Sequence, residues 1–165
     1  MKRQNTEPGM GNKLRWIALA ALMGCLAGCG ASFQAATPPG FVELEEDNSE
    51  YAYRATTADG LVMAVRELDN EVHGQLDFWS RAIENELRFR GGYALLGTKD
   101  VKTAGGLAGK RLRFGHDEGQ RPHLYEVNVF VTSDHIYLLE VGGSKELVEK
   151  HQPQLDWAVQ NFSHR

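Results

Sequence analysis

Ile136-Tyr137-Leu138-Leu139-Glu140-Val141 carries apolar side chains at both even and odd positions. Successive strand residues point to opposite faces, so a run without alternation asks for cover on both sides of a sheet. This run is therefore expected at the centre of a sheet with packed layers above and below. Upstream, residues 123–132 set Tyr125, Val127, Val129 and Val131 against Glu126 and Asn128, the alternation of a strand with one apolar face. Ser133-Asp134 turns the chain between the two. Residues 107–114 read as a further strand, with Leu112 and Phe114 inward and Lys110, Arg111 and Arg113 among its polar positions.

Before these strands, residues 75–90 form the clearest helix. Leu76, Trp79, Ile83 and Leu87 recur at helical spacing, and Phe78, Ala82 and Phe89 widen the apolar face to about half the circumference. Asp77–Arg81 and Glu84–Arg88 are acid-before-base pairs at i,i+4 on the other face. Gly91-Gly92 offers a left-handed cap. Earlier still, residues 41–45 read as an edge strand, and residues 51–57 and 61–68 pair across an Asp59-Gly60 hairpin turn. Residues 93–96 restart extended structure, which can run on to Val101. After the central run, Ser144 is a suitable N-cap for a last helix with a stripe of Leu147, Val148, Leu155, Ala158, Val159 and Phe162. Pro153 inside it predicts a kink or two short segments. The fold class is α+β, an antiparallel sheet with an amphipathic helix on each face.

The first thirty residues have another purpose. Lys2, Arg3, Lys13 and Arg15 stand against Glu7, followed by an uncharged run from Trp16 to Gly28. Those thirteen residues are too few for a bilayer-spanning helix, which needs roughly 20. A basic segment, a short apolar run and small residues before a cut are the parts of an export signal. Leu26-Ala27-Gly28-Cys29 resembles the lipobox of bacterial lipoproteins, position by position. Leu22-Met23-Gly24-Cys25 fits less well, because Met23 is bulky for its place. The resemblance implies cleavage between Gly28 and Cys29, and a diacylglyceryl group with palmitate-type chains on the Cys29 sulfur. It also implies that Gly30, standing where Asp would mark inner-membrane retention in enteric bacteria, favours the periplasmic face of the outer membrane.

The expected organisation is a signal peptide over 1–28, a lipidated Cys29 with a flexible tether over 29–40, and one domain over 41–165. The tether reading rests on small residues and Pro38-Pro39; a flexible segment of this length reaches about 17–20 Å. Cys25 and Cys29 are the two cysteines of the chain, so the domain has no disulfide and no thiol chemistry. From Cys29 onward, 137 residues carry 14 Lys/Arg and 21 Asp/Glu, a formal charge of −7. That balance disfavours nucleic acid as a partner.

Motifs for chemistry are sparse. Gly105-Gly106-Leu107-Ala108-Gly109-Lys110-Arg111 has neither the spacing nor the Ser/Thr of a phosphate loop, and it leads into a strand, so no nucleotide is expected. His116, Asp117, Glu118 and His123 gather metal-capable groups around one turn, although polar turns are rich in these residues anyway. His151 falls in the apolar stripe of the last helix. In a regular helix Trp157 points toward Glu146 and Lys150, as a partner contact would; a kink at Pro153 would return it to the sheet. No Gly-x-Ser-x-Gly or His-Glu-x-x-His occurs. No catalytic residue, cofactor or metal is expected.

The order of elements resembles the PsbP-like group, which includes the Ran-binding Mog proteins and DcrB-type envelope proteins. The resemblance is carried by Pro38-Pro39-Gly40-Phe41, by residues 106–112 entering a strand, and by Ile136-Tyr137-Leu138-Leu139 leading through Ser144 to a helix ending at Phe162. It covers residues 38–162. It implies a three-layer sandwich and a non-catalytic accessory or binding domain; the signal, the short tether and the absent catalytic set add the expectation that it binds an envelope protein or helps assemble a complex. The other reading is a periplasmic small-molecule or metal-binding protein, or a hydrolase, built on the His116–His123 turn. Cys29→Ala is expected to move the protein from the membrane to the soluble fraction; unchanged fractionation would refute the anchor.

Overall fold

A computed structural model describes residues 31–45, 50–119 and 121–165, with Glu118 described by its backbone alone. The signal segment 1–28, Cys29 and the turn at Asp47-Asn48-Ser49 lie outside the described residues. Ala31–Arg165 forms one compact unit. In chain order its elements are β1 Phe33–Gln34, β2 Phe41–Glu43, β3 Tyr53–Thr57, β4 Val62–Asp69, α1 Leu76–Phe89, β5 Ala94–Lys102, β6 Ala108–Glu118, β7 Arg121–Val131, β8 His135–Ser144, α2 Lys145–Lys150, α3 Gln152–Asn161 and β9 Ser163–His164.

The main sheet has the order β2-β3-β4-β8-β7-β6-β5 and each neighbouring pair is antiparallel. The run 136–141 is therefore central, between β4 and β7, as its double apolar parity requires. Even positions Ile136 and Leu138 join Leu112, Phe114, Val127 and Val129 beneath Leu76, Trp79, Ile83 and Leu87 of α1. Odd positions Tyr137, Leu139 and Val141 join Met63, Val65 and Phe130 beneath Val148, Leu155, Ala158, Val159 and Phe162 of the last helical layer. That layer is two helices, as Pro153 predicts, with Pro153 in the first turn of α3. Ser144 caps α2 by accepting from the Leu147 N–H at 3.3 Å.

One expectation needs correction. Residues 31–40 are not a free tether. Phe33 is 5% exposed, with its ring 5.7 Å from Phe162 and 5.8 Å from Tyr137. β1 pairs with β9, and Tyr53 donates from its hydroxyl to Thr37 Oγ1 at 2.8 Å. One aromatic ring inside a Gly/Pro-rich run is enough to dock it, because its burial contributes roughly 2–3 kcal/mol. A separate finding concerns Glu126 and Asn128, the polar residues that alternate with the valines of β7. Both are 0% exposed, because the polar face of β7 lies beneath α3. Arg113 Nε and Nη2 reach Glu126 Oε2 at 3.1 and 3.0 Å. Arg111 Nε lies 3.0 Å from Glu126 Oε1 but directs its hydrogen to Asn128 Oδ1 at 2.8 Å, so Oε1 is held by charge rather than by a hydrogen bond.

The entrance to α1 is organised by Asn70, which is 2% exposed. Its amide nitrogen donates to Gly74 O at 3.1 Å and Thr132 O at 2.9 Å; its oxygen accepts from Gly74 N at 2.8 Å and Trp79 Nε1 at 2.9 Å. This replaces an N-cap, since Gln75 makes no side-chain cap. On the helix, Glu84–Arg88 forms as expected at 3.0 Å, whereas Asp77 turns to Lys110 of β6 at 2.7 Å and ties helix to sheet. Asn70→Ala leaves a buried indole N–H and an amide N–H unpaired, and is expected to cost about 2–3 kcal/mol in urea unfolding.

Candidate functional site

α1 lies over β5, β6 and β7. The same face of β3 and β4 is covered by side chains of the sheet itself and by Tyr51. Register sets Arg54 opposite Ala64, Ala64 opposite Glu140 and Glu140 opposite Val127, one row across four strands. In the next row Val62 faces Gly142 and Gly142 faces Tyr125. Ala64 and Gly142 are small, so the face dips there. A Cβ added at Gly142 would meet the Tyr125 ring at 3.2 Å.

Glu140 is 4% exposed although it carries a charge. Such a group needs a partner, and Arg66 supplies one in forked geometry. Its Nε donates to Oε2 at 2.9 Å and its Nη2 to Oε1. The hydrogen bond to Glu140 raises the Arg66 pKa above its ordinary value, against the opposing effect of burial. Tyr125 also hydrogen-bonds Glu140; burial first, then the Glu140 charge, pushes its hydroxyl above the usual phenol range. Arg66 and Tyr125 therefore keep their protons near neutral pH. They hold a surface in shape and do not move protons.

Tyr51 stands over this pair. The Arg66 guanidinium is 5.9 Å from its ring centre and that of Arg54 is 5.7 Å away. Tyr51, Arg54, Val62, Ala64, Tyr125 and Gly142 line a hollow of about 130 Å³. That is well below the roughly 300 Å³ at which small-molecule sites begin, and it suits one inserted side chain. Tyr and Arg are the residue types enriched where proteins bind one another.

The site residues read from the sequence fall elsewhere. Cys29 and the cleavage residues Leu26, Ala27 and Gly28 lie outside the described residues. His116 and His123 are not in a loose turn, because β6 and β7 pair on to Glu118 and Arg121, with His116 opposite His123. They share the α1 side of the sheet, with the Tyr93 ring 5.1 Å from that of His116. Asp117 pairs with Pro122 and projects to the opposite side, since strand neighbours alternate. Among the described residues no group of three or more His, Cys, Asp or Glu side chains could hold a metal ion. A groove of about 690 Å³ does adjoin the two histidines, with Leu96, Arg113, Pro122, Leu124 and Lys145 in its wall. A second, of about 510 Å³, joins them to Tyr93, Tyr125 and Gly142.

Trp157 is half-buried on α3, across the sheet from the Tyr51 face. His151 ends α2 with Nε2 3.1 Å from each Asp59 carboxylate oxygen. Hydrogen bonds from Lys150, Thr57 and His151 hold the Asp59 carboxyl well below the usual carboxylate range. This cluster pins the β3–β4 turn to the helices. Gly106, at φ +91°, forms the turn into β6, with no helix behind it. Tyr51, Arg54, Arg66 and Glu140 belong to no contiguous motif. The available signal was Glu140, a charge inside a doubly covered strand.

No protein-family model matches the chain, and no curated protein matches it in sequence. Solved structures do match in fold. LpqN of Mycobacterium tuberculosis, described as involved in cell envelope biogenesis, is 10% identical over 79% of this chain and 82% of its own, with a TM-score of 0.62. The cyanobacterial PsbP of Synechocystis sp. PCC 6803 is 11% identical over 87% and 99%, with a TM-score of 0.54. The Ran-binding protein Mog1p of Saccharomyces cerevisiae is 14% identical over 82% and 91%, also with a TM-score of 0.54. The fold is PsbP-like, and at these identities the likeness is one of fold alone.

Arg66→Ala strands the Glu140 carboxylate, and the expected loss is about 3 kcal/mol in urea unfolding. Tyr51→Ala should cost less than about 1 kcal/mol, the scale of an exposed cation–π contact. Equal effects would show that Glu140 does not depend on Arg66.

Proposed function

We propose that this chain is a lipid-anchored lipoprotein of the cell envelope whose domain binds another protein without catalysis, through the face that α1 leaves open. The observation that carries the reading is Tyr51 set between Arg54 and Arg66, over the pairing of a partly exposed Arg66 with the buried Glu140 and beside a side-chain-sized hollow. A fixed aromatic flanked by arginines offers large contact area at small ordering cost, the property of an interface anchor. In this reading the signal peptide over 1–28 is removed, Cys29 carries the lipid, and the domain faces the periplasm from the outer membrane. Trp157 is a second candidate contact on the opposite face. Two fold relatives are described by envelope biogenesis and by binding a protein, Ran, and both descriptions support an accessory role of this kind.

The groove beside His116 and His123 favours a second reading, a periplasmic binding protein for a small molecule. Its volume of about 690 Å³ lies within the roughly 300–1,000 Å³ of ligand sites. Photo-crosslinking in intact cells separates the two. A photoreactive residue at position 51 or 54 is expected to trap one discrete partner, and the yield should fall when Arg66 is replaced. Monomer alone at every dose of light counts against the protein-binding reading.

A further inference from the structure

The chain is tied down unusually soon after its expected anchor. Ser32 donates from its hydroxyl to Glu67 Oε1 and lies 2.6 Å from the Tyr137 hydroxyl, while its carbonyl accepts from the Arg165 N–H at 2.7 Å. Phe33 follows directly into the core. Gly30 and Ala31 alone separate Ser32 from Cys29. Chain geometry allows at most ~3.6 Å per residue, so the link from Cys29 to Ser32 spans no more than ~11 Å. A lipid on Cys29 would therefore hold one particular end of the domain at the headgroups.

That end can be named. Ser32 meets β4 near its last residues and β8 near its first. The β7–β8 turn lies there too, and Asn70 fastens residues 70–74 to it through Thr132 O, while Asn70 N donates to Asp134 O at 2.8 Å. Three large apolar side chains stand exposed around this end: Leu68 at 45%, Val72 at 67% and Phe78 at 55%. Phe78 packs beside Gly74, where an added Cβ would meet its ring at 2.7 Å. His73, at φ +49°, completes a shaped loop that carries Val72 outward. The exposed charges here include Asp69, Glu71 and Asp134, so attraction to anionic lipid does not explain the patch.

We propose that the Leu68–Val72–Phe78 end of the domain rests in the lipid interface, with the β6–β7 turn pointing away from the membrane. The proposal rests on the reading of Cys29 as the lipidated residue. The short link supplies proximity, and the exposed apolar side chains supply the contact. β7 runs eleven residues, Arg121–Val131, so its two ends are separated by roughly 35 Å. The groove at His116 and His123 then opens far from the bilayer, and the Tyr51 face stands along the side.

The test uses the lipidated mature protein, beginning at Cys29, in phosphatidylcholine vesicles containing headgroup spin-labelled phosphatidylcholine. A fluorophore is placed on V72C or on R121C, both exposed positions, with Cys29 occupied by its lipid. Quenching at position 72 is expected to exceed that at position 121 several-fold. Equal or reversed quenching, with the protein still floating with the vesicles, overturns the docked orientation and leaves the anchor standing. Flotation that survives Cys29→Ala overturns the anchor itself, and the docking with it. L68C serves as a second proximal position, so that a local disturbance at Val72 does not decide the result.

Discussion

Burial of β8 on both faces is the constraint on which the structure depends. A strand with apolar residues at both parities calls for a strand on each side of it and a layer above and below. β4 and β7 supply the first, α1 and the α2–α3 pair the second. On either side of β8 lie two antiparallel runs, β2-β3-β4 and β5-β6-β7, and α1 carries the chain from β4 to the far edge strand β5. The helical layers are unequal in consequence. α2 and α3 follow β8 directly and lie on the larger cluster, while α1 enters from the β4 side and covers the β5–β7 half.

That inequality creates the candidate site. Where no helix covers the sheet, β8 still carries Glu140, and the face satisfies it with Arg66 and Tyr125, with Tyr51 over the Arg66 guanidinium. Across the sheet a second buried carboxylate, Glu126, is held by Arg111 and Arg113 under α3. Each pair is expensive to break because removing one partner strands a charge in low dielectric. Their surroundings separate their uses. Arg113 and Arg66 are exposed to a similar degree, but Arg111 and Arg113 turn to Asp156 and Gln152 of α3, whereas Arg66 shares Tyr51 with Arg54. One arrangement stiffens the helix–sheet contact, and the other presents a fixed surface outward.

The amino-terminal strap adds a second dependence. Phe33, Phe130, Tyr137 and Phe162 form one aromatic cluster, with Phe130 and Phe162 stacked at 5.1 Å. Strap and carboxyl terminus thus stabilise each other through β1–β9 pairing and shared rings. A segment whose composition reads as linker becomes part of the domain because its neighbour in space, β9, lies some 130 residues away in the chain.

Sequence by itself determined the α+β class, the central place of residues 136–141, the extent of α1 and the break at Pro153. All of these are carried by local periodicity or by one backbone-restricting residue, and local signals survive without knowledge of neighbours. Tertiary structure alone decided that Phe33 docks, that Glu126 and Asn128 are buried, that Asn70 closes the α1 entrance, and that Tyr51, Arg54, Arg66 and Glu140 share one face. Each of these depends on which residues meet across the sheet or from the far terminus, and the alternation of a single strand is the same whether its polar side meets water or a helix carrying Asp156.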